Sequence, residues 1–75
     1  MTAVEVAFRY GSPPGQREMR ALDAVRDVYG IRRITFNEKE HAIRVEYDAT
    51  RLKEDVVASL LRRAGVDLVG KLALA

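Results

Sequence analysis

The side chains able to do chemistry are few, and they gather in two short stretches. Arg17 and Arg20 follow the run Gly11-Ser12-Pro13-Pro14-Gly15-Gln16. A helix starting there would set the two guanidiniums on one side, and a helix N-terminus flanked by arginines suits an anion. His41, the sole histidine, follows Glu38, Lys39 and Glu40. An imidazole among carboxylates suits a hard cation or a proton. However, one histidine without cysteine gives no metal-ligand spacing, and a polar hairpin end explains the cluster more simply. Met19 and Met1 would each offer a thioether. For Met19, packing at the edge of a core is the plainer reading. The sequence carries no serine–histidine–acid set, no nucleophilic cysteine and no phosphate-binding glycine loop. No catalytic residue and no enzymatic activity are expected.

The elements that must position these groups follow from periodicity. Val4, Val6, Phe8 and Tyr10 share one parity, with Glu5 and Arg9 on the other, so Ala3 to Tyr10 reads as a strand with one buried face. Two prolines and two glycines then stop it. Leu22, Val25 and Val28 recur at three-residue steps, predicting a helix from Gln16 to Tyr29 with Gly30 as its cap. Strands are expected from Ile31 to Phe36 and from His41 to Tyr47, joined by Asn37-Glu38-Lys39-Glu40 as a hairpin. A second helix is expected from Leu52 to Ala64, N-capped by Thr50, with Val56, Val57, Leu60, Leu61 and Ala64 as its apolar stripe and Gly65 at its end. Glu54-Asp55 then fall in its first turn, where the helix dipole favours acids. Val66 to Ala75 reads as a last strand, with Leu68, Leu72 and Leu74 on one side and Gly70 marking a bulge or a close approach.

Strand, helix, strand, strand, helix, strand in so short a chain predicts an α+β, ferredoxin-like βαββαβ sandwich: a four-stranded antiparallel sheet with two helices on one face. The 75 residues allow one domain, 1–75. With 48% hydrophobic and 32% charged residues the chain can bury a modest core, and without cysteine no disulfide can assist. The net charge of +2 is too balanced to imply nucleic acid. The exposed sheet face should carry Ala3, Glu5, Ala7, Arg9, Arg33, Arg44, Glu46, Lys71 and Ala73, a mixed surface without the aromatics that stack RNA bases. No run is long and apolar enough for a membrane span, and Thr2 to Glu5 does not read as a signal segment, so the cytoplasm is the expected location.

Several of these residues together resemble the heavy-metal-associated, copper-chaperone-like domain. Ala24-Val25 matches an alanine–hydrophobic pair in that family's first helix, and Gly30-Ile31 matches a glycine–valine before its second strand. Val45-Glu46-Tyr47-Asp48 matches the end of its third strand, and Ala64-Gly65 the end of its second helix. The likeness spans nearly the whole chain. The family binds metal through a loop resembling GMTCxxC, and in this register Pro14 and Arg17 replace both cysteines. Proline has no side-chain donor, and arginine sets a positive charge where the cation would sit. The resemblance therefore implies the fold and a docking surface, without a cofactor. The leading expectation is a protein-interaction or regulatory module whose partner binds Ser12, Pro14, Gln16, Arg17 and Arg20, with Arg26 further along the helix.

Three other readings follow. A metal-ion carrier would use His41, Glu40, Met19 and Met1. An anion-binding protein would resemble acylphosphatases, which share the fold, in its Arg17 and Asn37, although their loop pattern is absent and Asn37 reads better as a turn residue. A weak homodimer would form through the outer sheet face or the Leu72–Leu74 edge.

Overall fold

A computed structural model describes residues 2–72 of the chain. Its elements are β1 (Ala3–Tyr10), α1 (Gln16–Arg26), β2 (Ile31–Asn37), β3 (Ala42–Asp48), α2 (Glu54–Arg63) and β4 (Leu68–Leu72). The four strands form one antiparallel sheet in the order β2-β3-β1-β4. This is the ferredoxin-like α+β arrangement that the periodicity predicts.

One face of the sheet carries Val6, Phe8 and Tyr10 of β1, Ile34 of β2, and Ile43, Val45 and Tyr47 of β3. Leu22 and Val25 of α1 and Val57 and Leu61 of α2 pack into the same cluster, so both helices cover that face. Leu22, Ile43, Val45, Val57 and Leu61 are fully enclosed. Burying such a side chain contributes about 1.5–3 kcal/mol, which makes this cluster the main stabilising term in a cysteine-free chain.

Local hydrogen bonding moves several boundaries away from the sequence reading. α1 stops at Arg26, with Asp27 as its C-cap. The Asp27 and Val28 amides donate to the Ala24 and Val25 carbonyls, which tightens the chain into turns before Gly30 (φ 106°). Tyr29 is therefore an exposed turn residue. Thr50 does not cap α2, whose N-cap is Lys53. The Thr50 hydroxyl donates instead to the buried Asp48 carboxylate at 2.7 Å, and the Arg51 and Leu52 amides both donate to the Asp48 carbonyl at 3.0 Å. That turn consumes the residues that the sequence assigns to the start of the helix. Within α2, Ala58 is buried and Val56 is exposed, so the stripe runs through Val57, Ala58 and Leu61.

The end of α2 behaves as expected. Gly65 (φ 99°) follows the C-cap Ala64; its amide donates to the Arg62 carbonyl, and the Val66 amide donates to the Leu61 carbonyl. This paired closure needs a left-handed residue, which glycine supplies without a Cβ clash.

In β4 the expected single-sided leucines and the expected outward-facing Lys71 are overturned. Tyr10 pairs with Leu68, but Arg9 pairs with Gly70, so Val69 is an extra residue in a bulge. The bulge flips the faces beyond it. Leu68 faces the helices, Leu72 stands opposite Ala7 on the outer face, and Lys71 stands opposite Phe8 on the helix side, where it pairs with Glu54 at 2.7 Å. Without the bulge Gly70 would stand opposite Phe8 and leave the core face bare. Gly70 itself has open space around its Cα, so the bulge and not a close approach accounts for it. Ala73 and Leu74 lie outside the described residues.

Candidate functional site

The β1–α1 loop is pinned at both ends. At its start the Gly11 amide donates to the Asp67 carbonyl at 2.9 Å, and the Ser12 amide donates to the Asp67 carboxylate at 3.2 Å. A Cβ on Gly11 would lie 2.6 Å from that carboxylate and would displace it from the Ser12 amide. At its end Gly15 is the extended N-cap of α1, and its amide donates to Glu18 Oε1 at 2.8 Å. The stem of Glu18 lies against Gly65, with Cγ 3.0 Å from where a Cβ would stand. One acidic side chain thus closes the start of α1 and abuts the end of α2.

On this anchored frame Ser12, Gln16, Arg17 and Arg20 are exposed and Pro14 is half-buried. Arg17 and Arg20 have no ion pair or side-chain hydrogen bond among the described residues. Arg26 instead pairs with Asp23. Of the expected docking set, Gln16, Arg20 and Arg17 lie within about 100° of arc on α1, whereas Arg26 falls on the Met19 side. Successive residues turn by about 100°, so Met19 and Arg17 lie about 160° apart on opposite flanks of α1, with Gln16 and Arg20 on the crest between them.

On the Met19 flank there is a cleft of about 500 Å³, walled by Tyr10, Pro13, Pro14, Met19, Phe36 and His41, with Glu38 at its rim. Tyr10 forms its floor. Its ring stacks on His41 (centroids 5.4 Å apart, 18° between planes) and meets Phe36 edge-on at 6.1 Å. His41 holds a positive φ of 51°, and its carbonyl accepts the Tyr10 amide at 2.9 Å. Sequence reasoning assigns Tyr10 and Phe36 wholly to the core and does not find this cleft, because its walls come from β1, the loop, α1, β2 and the hairpin. The parity of the strands gives no signal for an opening at their ends.

The metal-ligating candidates are partly brought together. Met19 and His41 share the cleft, and His41 also lines a second depression with Glu40, Arg9 and Val69, which Met19 does not reach. Met1 lies outside the described residues. Among the described residues no three of histidine, cysteine, aspartate and glutamate come close enough to hold a metal ion. The anion pair is separated. Asn37 stands in register with Ala42 on the sheet face away from the helices, and its Oδ1 accepts the Glu40 amide at 3.3 Å. Arg17 lies on a helix covering the opposite face.

Among the described residues two ionisable groups are clearly perturbed, and both lie away from the loop. The Asp48 carboxyl is held below the usual carboxylate range, chiefly by the Thr50 hydroxyl, then by the Thr50 amide, against the opposing effect of burial. Burial, reinforced by nearby Glu54, pushes the Tyr47 hydroxyl up. Both are explained by packing and turn structure. No helix among the described residues is long and apolar enough to cross a membrane. No family model, no curated protein and no solved structure matches this chain.

Proposed function

We propose that the chain is a non-catalytic protein-interaction or regulatory module of the heavy-metal-associated kind, whose metal loop has become a docking loop. The observation that carries this reading is the pairing of an anchored loop with unengaged charge. Asp67 and Glu18 fix the loop, and Arg17 and Arg20 stand beside it one turn apart without partners among the described residues. A surface already ordered binds at a smaller entropic cost. Ser12, Pro14 and Gln16 supply the neutral part of the contact, and acidic groups on the partner would meet the arginines.

The test is capture of partners from a lysate with the native chain and with Arg17→Glu/Arg20→Glu. Both residues are exposed, so circular dichroism should be unchanged. A partner retained by the native chain and lost by the variant supports the reading, and equal retention overturns it.

One observation favours a second reading, a metal carrier: Met19 and His41 share a cleft. Titration with copper(I), followed by the methyl signal of Met19 and the ring signals of His41, decides it. Stoichiometric shifts of both would replace the docking reading with the carrier reading.

A further inference from the structure

The sheet face turned away from the helices has an ordered charge pattern. Arg9 stands opposite Ala42, Arg44 opposite Ala7 and Thr35, and Arg33 opposite Glu46. Arg9, Arg44 and Arg33 are thus successive diagonal neighbours on β1, β3 and β2. Diagonal neighbours on a sheet lie about 7–8 Å apart. Between them the floor is small and apolar, with Ala7 and Ala42 both buried although they face outward. Leu72 continues this floor opposite Ala7.

The charges on this face are unequal. Glu5 and Glu46 stand opposite each other, with Arg44 at 3.9 Å from Glu5 and Arg32 at 3.3 Å from Glu46. These are surface or part-surface pairs of the kind that contribute little, so they hold the arginines only weakly. Asp48 is buried and engaged by Thr50. Arg9 and Arg33 have no ion pair among the described residues.

We infer that this face docks an extended acidic segment of a partner protein, its carboxylates at alternate residues meeting Arg9, Arg44 and Arg33. Alternate residues of an extended chain are about 6.6–6.8 Å apart, about 1 Å short of the arginine spacing at each step, a difference that the long arginine side chains can take up. A segment laid along the stripe crosses the strands at about 35°, taking about 4.8 Å between strands and about 6.8 Å along them, near the angle at which stacked sheets cross. Each guanidinium offers a forked pair of donors that fits a carboxylate. A second copy of this face would bring the same excess of arginine, a poorer charge match than an acidic segment. Single-stranded nucleic acid is disfavoured because Phe8, Tyr10, Phe36 and Tyr47 all belong to the opposite face. This surface is separate from the β1–α1 loop, and the inference stands whether or not that loop docks anything.

The test uses nitrogen–proton NMR of the full chain with three probes: a Glu-Val-Glu-Val-Glu peptide, a peptide of the same composition with its glutamates contiguous, and a single-stranded RNA decamer. The alternating peptide should shift the Arg9, Arg33 and Arg44 signals, including their side-chain Nε–H, and leave Arg17 and Arg20 in place. Arg9→Glu/Arg33→Glu should weaken binding at least about tenfold, whereas Arg17→Glu/Arg20→Glu should not change it. Arg9→Lys/Arg33→Lys, which keeps the charge and loses the fork, should weaken it several-fold. Unmoved Ile43 and Leu61 amides would show that the variants remain folded. No binding, equal affinity for the contiguous peptide, tighter binding of RNA, or shifts centred on Arg17 and Arg20 would each overturn the inference.

Discussion

The buried Asp48 carboxylate accepts both the hydroxyl (2.7 Å) and the amide (3.0 Å) of Thr50 through the same oxygen, Oδ1. Its other oxygen lies 3.5 Å from Arg51 Nε. The residue ends β3, and its carbonyl starts the turn into α2, so this one side chain holds the crossover between them.

The first prediction concerns acid. The folded-state pKa of Asp48 lies below its unfolded value, so its ionised form stabilises the fold. That contribution is fully present above about pH 4, the ordinary aspartate range, and is lost as pH falls through the lower folded value. Urea midpoints measured across acidic pH should therefore fall more steeply for the native chain than for Asp48→Asn. Parallel curves would refute the assignment. Thr50→Val should act in the same direction as Asp48→Asn, because it removes the hydroxyl that contributes most to the shift.

The second concerns α2. Leu61 is fully buried and Val56 is exposed on the same helix. Leu61→Ala should cost about 2–5 kcal/mol, and Val56→Ala under about 0.5 kcal/mol. Denaturant unfolding of the two variants checks the contrast, and comparable losses would mean that the helix presents a different face.

The third concerns Gly65. A side chain there is strained by the positive φ and also meets the Glu18 stem. Gly65→Ala should cost about 1–3 kcal/mol. It should also perturb the Gly15 amide, whose acceptor is the same glutamate. A chemical-shift map confined to α2 would contradict this second effect.

The fourth concerns Tyr29, which is 71% exposed with Arg51 lying 4.1 Å over its ring. An exposed cation–π contact contributes about 0.5–1 kcal/mol. Tyr29→Ala should cost no more than that, measured by the shift in Tm, and a larger loss would show that the ring does more than pack against Arg51.

How much was legible in the sequence differs by element. The strands announced themselves because β1 and β3 alternate cleanly, and Gly65 marked a helix end by conformational need. Other features depend on contacts that periodicity cannot express. Thr50 looks like a cap, but Asp48 competes for its hydroxyl. Val56 and Ala58 flank the same stripe, and only packing decides between them. Leu72 shares parity with Leu68 in the sequence, yet the extra residue Val69 sends it to the other face. Ala7 is buried although it faces outward, because it is small and has larger neighbours around it. Of the candidate site, the exposure of Arg17 and Arg20 was legible. The cleft beside Met19 was not, since Tyr10, Phe36 and His41 meet only after β1, β2 and the hairpin have come together.

The contact of the Glu18 stem with Gly65, while its carboxylate holds the Gly15 amide, ties two positions far apart in the sequence into one unit of inheritance. A larger residue at position 65 removes the space that the glutamate stem occupies, and a shorter residue at position 18 leaves the start of α1 without its acceptor. Among chains descended from this one, changes at 18 and 65 should therefore be coupled, while position 15 must keep an amide that can donate. The loop could diversify between Ser12 and Pro14 while the anchors at its ends stay fixed, so new docking specificities could arise there without rebuilding the frame.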